Sequence, residues 1–123
     1  MNTLMQIVVG ILAIPLAALG IRSMFFPTNM GAAVGLTPEG IPGLSEIRSV
    51  LGGLFLASVA MIITGLATDD TTWFIAVAIV MAAAAFGRLV SIGTDGLTQA
   101  VLPPLVIEAL IGGLLVLGHY TLN

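Results

Sequence analysis

An all-α polytopic membrane protein, with four transmembrane helices in an up-down-up-down bundle, is predicted by three features of the sequence. Hydrophobic residues make up 59% of the 123-residue chain and charged ones only 7%, with a mean hydropathy of +1.20, whereas soluble domains carry about 25% charged residues. The apolar residues fall into four runs, each near the ~20 residues that a bilayer span requires. Six charged side chains, Arg22, Glu46, Arg48, Arg88, Asp95 and Glu108, are placed by those runs at one and the same end of the bundle. A single domain over residues 1–123 is all that such a chain accommodates.

The first span is expected over residues 4–26. Ala17, Ala18 and Gly20 mimic a cleavage region, but no Lys or Arg precedes the apolar run, so the segment is read as a retained span and not a secretory leader. Pro15 lies mid-span, where neighbouring helices tolerate a kink. From Pro27 to Gly43 the chain is broken by three prolines and four glycines, too interrupted for a continuous helix. Its stretch 29–36 is expected to form a short interfacial helix folded over the charged end.

The second span is expected over residues 44–67, with Ser45 as N-cap and Glu46 in the first turn against the positive end of the helix dipole. A tight turn, 68–72, carries Asp69 and Asp70, whose default role is solvation. The third span is expected over 73–92. The fourth, over 102–122, starts with Pro103 and Pro104, where a missing N–H does no harm. Short connections make consecutive helices antiparallel neighbours.

Helices in lipid approach through small residues. Ser49, Gly53 and Ala57, then Ala83, Gly87 and Ser91, recur at four-residue spacing, and Glu108, Gly112, Leu115 and His119 share one stripe. These stripes are expected to pack the bundle and to turn the charges inward. The halves of the chain also echo one another, with offsets of 66 (Arg22 to Arg88), 62 (Glu46 to Glu108) and 60 (Gly52 to Gly112). Two repeated hairpins related by an axis along the membrane normal would give this pattern; so would coincidence in a low-complexity apolar alphabet.

Glu46-x-Arg48-x-x-x-Gly52-Gly53, Gly87-Arg88-x-x-Ser91-x-x-x-Asp95-Gly96 and the late Glu108 together resemble a bacterial family of small four-helix integral membrane proteins catalogued as a domain of unknown function. The resemblance covers nearly the whole chain. It departs at Leu51, where the family usually has an aromatic before the glycine pair. What it implies is fold and membrane location; no catalytic role comes with it.

Chemistry at the charged end has two readings. Three arginines against three carboxylates can form a neutral lock between helix ends, with Arg48 on Glu108 and Arg88 on Asp95 or Glu46 as reasonable bidentate pairs. Alternatively Arg22, Arg48 and Arg88, with Ser91 nearby, hold an anionic head group or carboxylate while Glu46, Asp95 and Glu108 position them. Arg88 and Asp95 share a helix face if that helix continues, and a folded-back loop if it ends near Ile92.

His119, the one histidine, lies about 16 Å beyond Glu108 at helical rise, so the two form no acid–base dyad within one chain. It belongs with Tyr120 and Trp73 at the opposite interface. No cysteine is present, which excludes disulfides, thiolate nucleophiles and Cys-ligated metals. Ser91 has no histidine partner and no nucleophile elbow. The six methionines read as gap-fillers. No metal and no cofactor is therefore expected. Lysine is absent too, which argues against a nucleic-acid-binding surface.

Three functions follow, in order of preference. The first is a non-catalytic accessory subunit docking on a larger membrane complex. The second is a protein that binds a lipid or hydrophobic ligand through the Arg/Glu cluster, and the third a small homodimeric transporter. Arginines near Glu108 weigh against the third. The lipid bilayer is the immediate partner, with a larger complex or a homo-oligomer beyond it. The expected location is the bacterial inner membrane, multi-pass, with the arginine-rich end in the cytoplasm and both termini outside.

Overall fold

The computed structural model describes residues 2–122 and is all-α, with four helices long and apolar enough to cross a membrane. Helix α1 (Thr3–Phe25) begins where the Asn2 side chain accepts the Met5 N–H at 3.2 Å. It runs through Pro15, which lies on the exposed side. It stops at Phe26, because the residue before a proline is steered out of helical conformation. Helix α2 (Pro27–Val34) opens on that proline and ends at Gly35, which takes a left-handed φ of 79°. The Leu36 N–H returns to the Gly31 carbonyl at 2.8 Å, so tightly that a Cβ on Gly31 would lie 2.5 Å from the Leu36 oxygen. α2 buries Pro27, Met30 and Gly31 and packs against α1 and the start of the next helix.

Helix α3 (Gly40–Thr68) is continuous but passes through one π turn, Ile47–Leu51. It starts four residues earlier than the sequence suggests, with Glu39 at the N-cap position. Ser45 is therefore not a cap, and Glu46 lies beyond the first turn. The proline in Gly-Ile-Pro-Gly does not block this start because Pro42 falls in the first turn, where its N–H would have no partner. α3 ends at Asp69, a non-glycine residue in left-handed conformation, with the Asp70 N–H bonded to the Gly65 carbonyl at 3.1 Å. Helix α4 (Thr72–Asp95) continues three residues past the expected end, which puts Asp95 in its last turn. Helix α5 (Leu102–Leu122) has the span expected of it.

α1 packs along α3, and α4 along α5, more extensively than either hairpin packs on the other. Both hairpins turn at the charged end. The shared core consists of Val9, Leu12, Leu16, Ile62, Phe74, Val77, Ala78, Met81, Ile111 and Leu115, which run from the middle of the bundle toward the termini. Glycines set the closest approaches there. A Cβ on Gly118 would come within 2.9 Å of the Val9 side chain, and one on Gly65 within 2.7 Å of the Phe74 ring. In the charged half, α1 and α3 remain in contact, since a Cβ on Gly20 would meet Leu56 at 2.7 Å and one on Gly52 would meet the Met24 backbone at 3.2 Å. The α4–α5 hairpin is different. No residue from 82 to 110 is buried.

The expected small-residue stripes thus pack differently from the sequence reading. Gly112 does face α4, with Met81 3.4 Å from where its Cβ would be. Ser49, Ala57, Ala83 and Gly87 are exposed, and nothing lies within 4 Å of a Cβ placed on Gly53 or Gly87. Ser91 is half-buried. The reason is rotational. One residue is about 100° of helix turn, so Gly52 at the α1 contact leaves its neighbour Gly53 facing outward.

Two substitutions separate a packing glycine from a free one. Gly118→Leu should destabilise the bundle by about 1–3 kcal/mol through overpacking against Val9, whereas Gly113→Leu, with nothing within 4 Å of its Cβ, should leave stability within about 0.5 kcal/mol. Unfolding in detergent followed by Trp73 fluorescence checks both.

Candidate functional site at the charged end

Helical rise fixes how deep each charge lies. Measured from the opposite ends of their helices, Arg22 is about 28 Å along α1 and Arg48 about 30 Å along α3, close to the ~30 Å hydrocarbon thickness. Arg88 is about 24 Å along α4, and Glu108 about 21 Å back along α5. With the opposite helix ends set at the other boundary, these lengths bring Arg22 and Arg48 to the boundary and leave Arg88 and Glu108 inside it.

The partners follow the same order. Arg88 Nη2 lies 2.8 Å from Glu108 Oε1, and its Nε–H donates to both carboxylate oxygens at 2.9 Å. This is the one ion pair among the described residues. Its acid is the more sheltered member, with 15% of the Glu108 side chain exposed against 37% for Arg88. Arg22 instead reaches over the end of α1 and donates to the side-chain and backbone oxygens of Asn29 on α2. Arg48 donates to the Met24 carbonyl. That carbonyl belongs to the last turn of α1, where no helical N–H remains to satisfy it. The guanidinium thus caps a helix other than its own.

The lock of three arginines on three acids does not form. Glu108 pairs with Arg88 and not Arg48, because α4 and α5 share a hairpin while Arg48 lies in the other one. Because α4 continues to Asp95, that carboxylate is one turn beyond Ser91 and accepts the Ser91 hydroxyl at 3.0 Å instead of meeting Arg88. Glu46 is exposed and makes no ion pair. The site residues therefore form separate contacts within their own hairpins, and none bridges the two.

Sequence reading missed Asn29, the Met24 carbonyl and the π turn. A backbone acceptor carries no side-chain signal, and the π turn leaves none in the residues Ile47 to Leu51. At the opposite end, Thr71 was also missed. Its buried hydroxyl lies 2.8 Å from His119 Nδ1, tying α5 to the turn between α3 and α4, and His119 meets Tyr120 edge-on at 5.0 Å.

Two open grooves flank the charged end. One, of about 530 Å³, is lined by Met24, Ile41, Leu44, Ser45, Arg48 and Ser49 on the first hairpin. The other, of about 610 Å³, is lined by Gln99, Leu102, Pro103, Val106 and Ile107 on the second. Among the described residues no three His, Cys, Asp or Glu side chains converge as a metal site would require. The arrangement offers guanidinium groups to an acceptor and small residues to a helix.

Comparison with known proteins gives a family without a known activity. The model of a family described as a domain of unknown function, DUF4345, matches residues 4–119. No curated protein and no solved structure matches the chain.

Proposed function

The chain belongs to the DUF4345 family, and from the state of its charged half we propose that it is a non-catalytic subunit that docks on a larger membrane protein. One observation carries this reading. The Arg88–Glu108 pair sits just inside the hydrocarbon boundary in a stretch, residues 82–110, with no buried residue. An ion pair more than a third exposed on its cationic side is poorly accommodated by lipid, and a protein helix laid against it removes that exposure. Small residues are available for the approach, Ala83 and Gly87 on α4 and Gly53 and Ala57 on α3, each facing away from the rest of this chain.

The transporter reading has less support. Both Glu108 oxygens accept from Arg88, so the one carboxylate of α5 is already engaged and is not free to exchange protons for substrate. Lipid or hydrophobic-ligand binding is compatible with docking and draws on the grooves beside the helix ends.

Native mass spectrometry of the gently extracted protein tests docking. The wild-type chain should co-extract with a second polypeptide in fixed stoichiometry. Gly87→Ile, which meets nothing within 4 Å in this chain, should lose that polypeptide at least tenfold while the helical circular dichroism spectrum is unchanged. A wild-type chain recovered alone would refute the reading.

We further place the charged end in the cytoplasm of a bacterial inner membrane, since the three arginines all lie there. The chain has no cysteine, so single introduced ones report directly. In intact spheroplasts a membrane-impermeant maleimide should label Asp69→Cys and spare Thr98→Cys; the reverse pattern inverts the topology.

A further inference from the structure

Arg48 carries more hydrogen-bonding capacity than the chain uses. A guanidinium has five N–H donors, and Arg48 spends its side-chain hydrogen bonding on the single Met24 carbonyl, with no carboxylate within ion-pairing distance. Arg22, by contrast, is engaged twice by Asn29. Glu46 lies two residues from Arg48, about half a turn around the helix, and does not line the groove that Arg48 borders; Glu39, at the N-cap position of α3, does not line it either. Among the described residues no carboxylate pairs with the positive charge at this groove or lines it.

The groove has two chemical ends. Arg48, Ser45 and Ser49 supply donors, and Met24, Ile41 and Leu44 supply an apolar wall, with Ile41 81% exposed. Arg48 lies about 30 Å from the far end of α3, a length that matches the hydrocarbon thickness and brings the guanidinium within reach of a head group. The π turn Ile47–Leu51 surrounds Arg48, and such turns recur at functional sites because they displace side chains from regular helical register. Here the turn coincides with the place where Gly52 lets α3 come against the Met24 backbone. Met24 is therefore both a wall of the groove and the anchor of the arginine.

We propose that this groove binds one anionic phospholipid, its phosphate on Arg48 and the serine hydroxyls and an acyl chain along Met24, Ile41 and Leu44. A soluble anion would have no use for the apolar wall, and a zwitterionic lipid would bring its own cation to the arginine. The site stands independently of docking, since a bound lipid and a protein partner are separate masses.

Native mass spectrometry of the purified chain in micelles, titrated in parallel with phosphatidylglycerol and phosphatidylcholine, is the test. A single phosphatidylglycerol adduct should persist under activation that strips phosphatidylcholine. Arg48→Gln should lower its occupancy at least fivefold. Because that change also removes the cap on Met24, Ser45→Phe provides a second route: it fills the groove from an exposed position that makes no hydrogen bond, keeps the guanidinium, and should lower occupancy to the same degree. Equal retention of the two lipids, or undiminished phosphatidylglycerol in Ser45→Phe, overturns the proposal. So does displacement of the lipid by inorganic phosphate, which would mark a site for a small soluble anion.

Discussion

Hydrocarbon solvates neither a charge nor an unpaired backbone group, and the Arg88–Glu108 pair is where this chain meets that constraint most severely. The pair lies inside the boundary that Arg22 and Arg48 only reach, and it alone among the described residues is neutralised by an opposite charge. Nearer the helix ends, where water and head groups are within reach of a guanidinium, neutral oxygens from Asn29 and Met24 are the partners. Depth explains why one arginine holds a carboxylate and two do not. Electroneutral counting treats all six charges as equals and does not.

The same constraint shapes the two hairpins differently. The first closes its charged end with its own chain: α2 folds over α1 and α3, buries Met30, and provides the acceptor for Arg22, while Arg48 caps α1. The second has only the six-residue connection between Asp95 and Leu102. Apart from that connection it has no segment with which to cover itself, and the ion pair between α4 and α5 is the one ion pair there among the described residues. If the halves descend from one hairpin, the echo survives in position and not in partner, since Arg22 and Glu46 occupy the places of Arg88 and Glu108 without meeting. The uncovered second hairpin is what makes a docked neighbour the most economical account of the chain.

Much of this architecture was legible in the sequence. Four spans, their order and the shared location of the charges follow from apolar run length and the cost of charge in lipid, and α5 has the limits expected of it. The boundaries of α3 and α4 were not legible. Proline in a first turn and a glycine one residue past Asp95 permit helix where composition suggests loop. Charge pairing was misread for a geometric reason, since residue types and intervals along one helix say nothing of which hairpin a partner belongs to. The glycine pairs were recognised as packing residues, yet which member packs depends on a rotation that spacing alone cannot assign. Gly52 and Gly53 differ only in that.

The most direct test is a double-mutant cycle on Arg88→Gln and Glu108→Gln, read as unfolding free energy in mixed micelles. Exposed pairs couple by roughly 0.2–1 kcal/mol, and breaking a buried one costs about 3–5 kcal/mol. A pair this sheltered on its acidic side and open on its basic side should give a coupling of about 1–3 kcal/mol, with either single variant less stable than the double. A coupling indistinguishable from zero would mean that solvent or head groups already satisfy both charges. The ion pair would then not be what holds the charged half of the second hairpin.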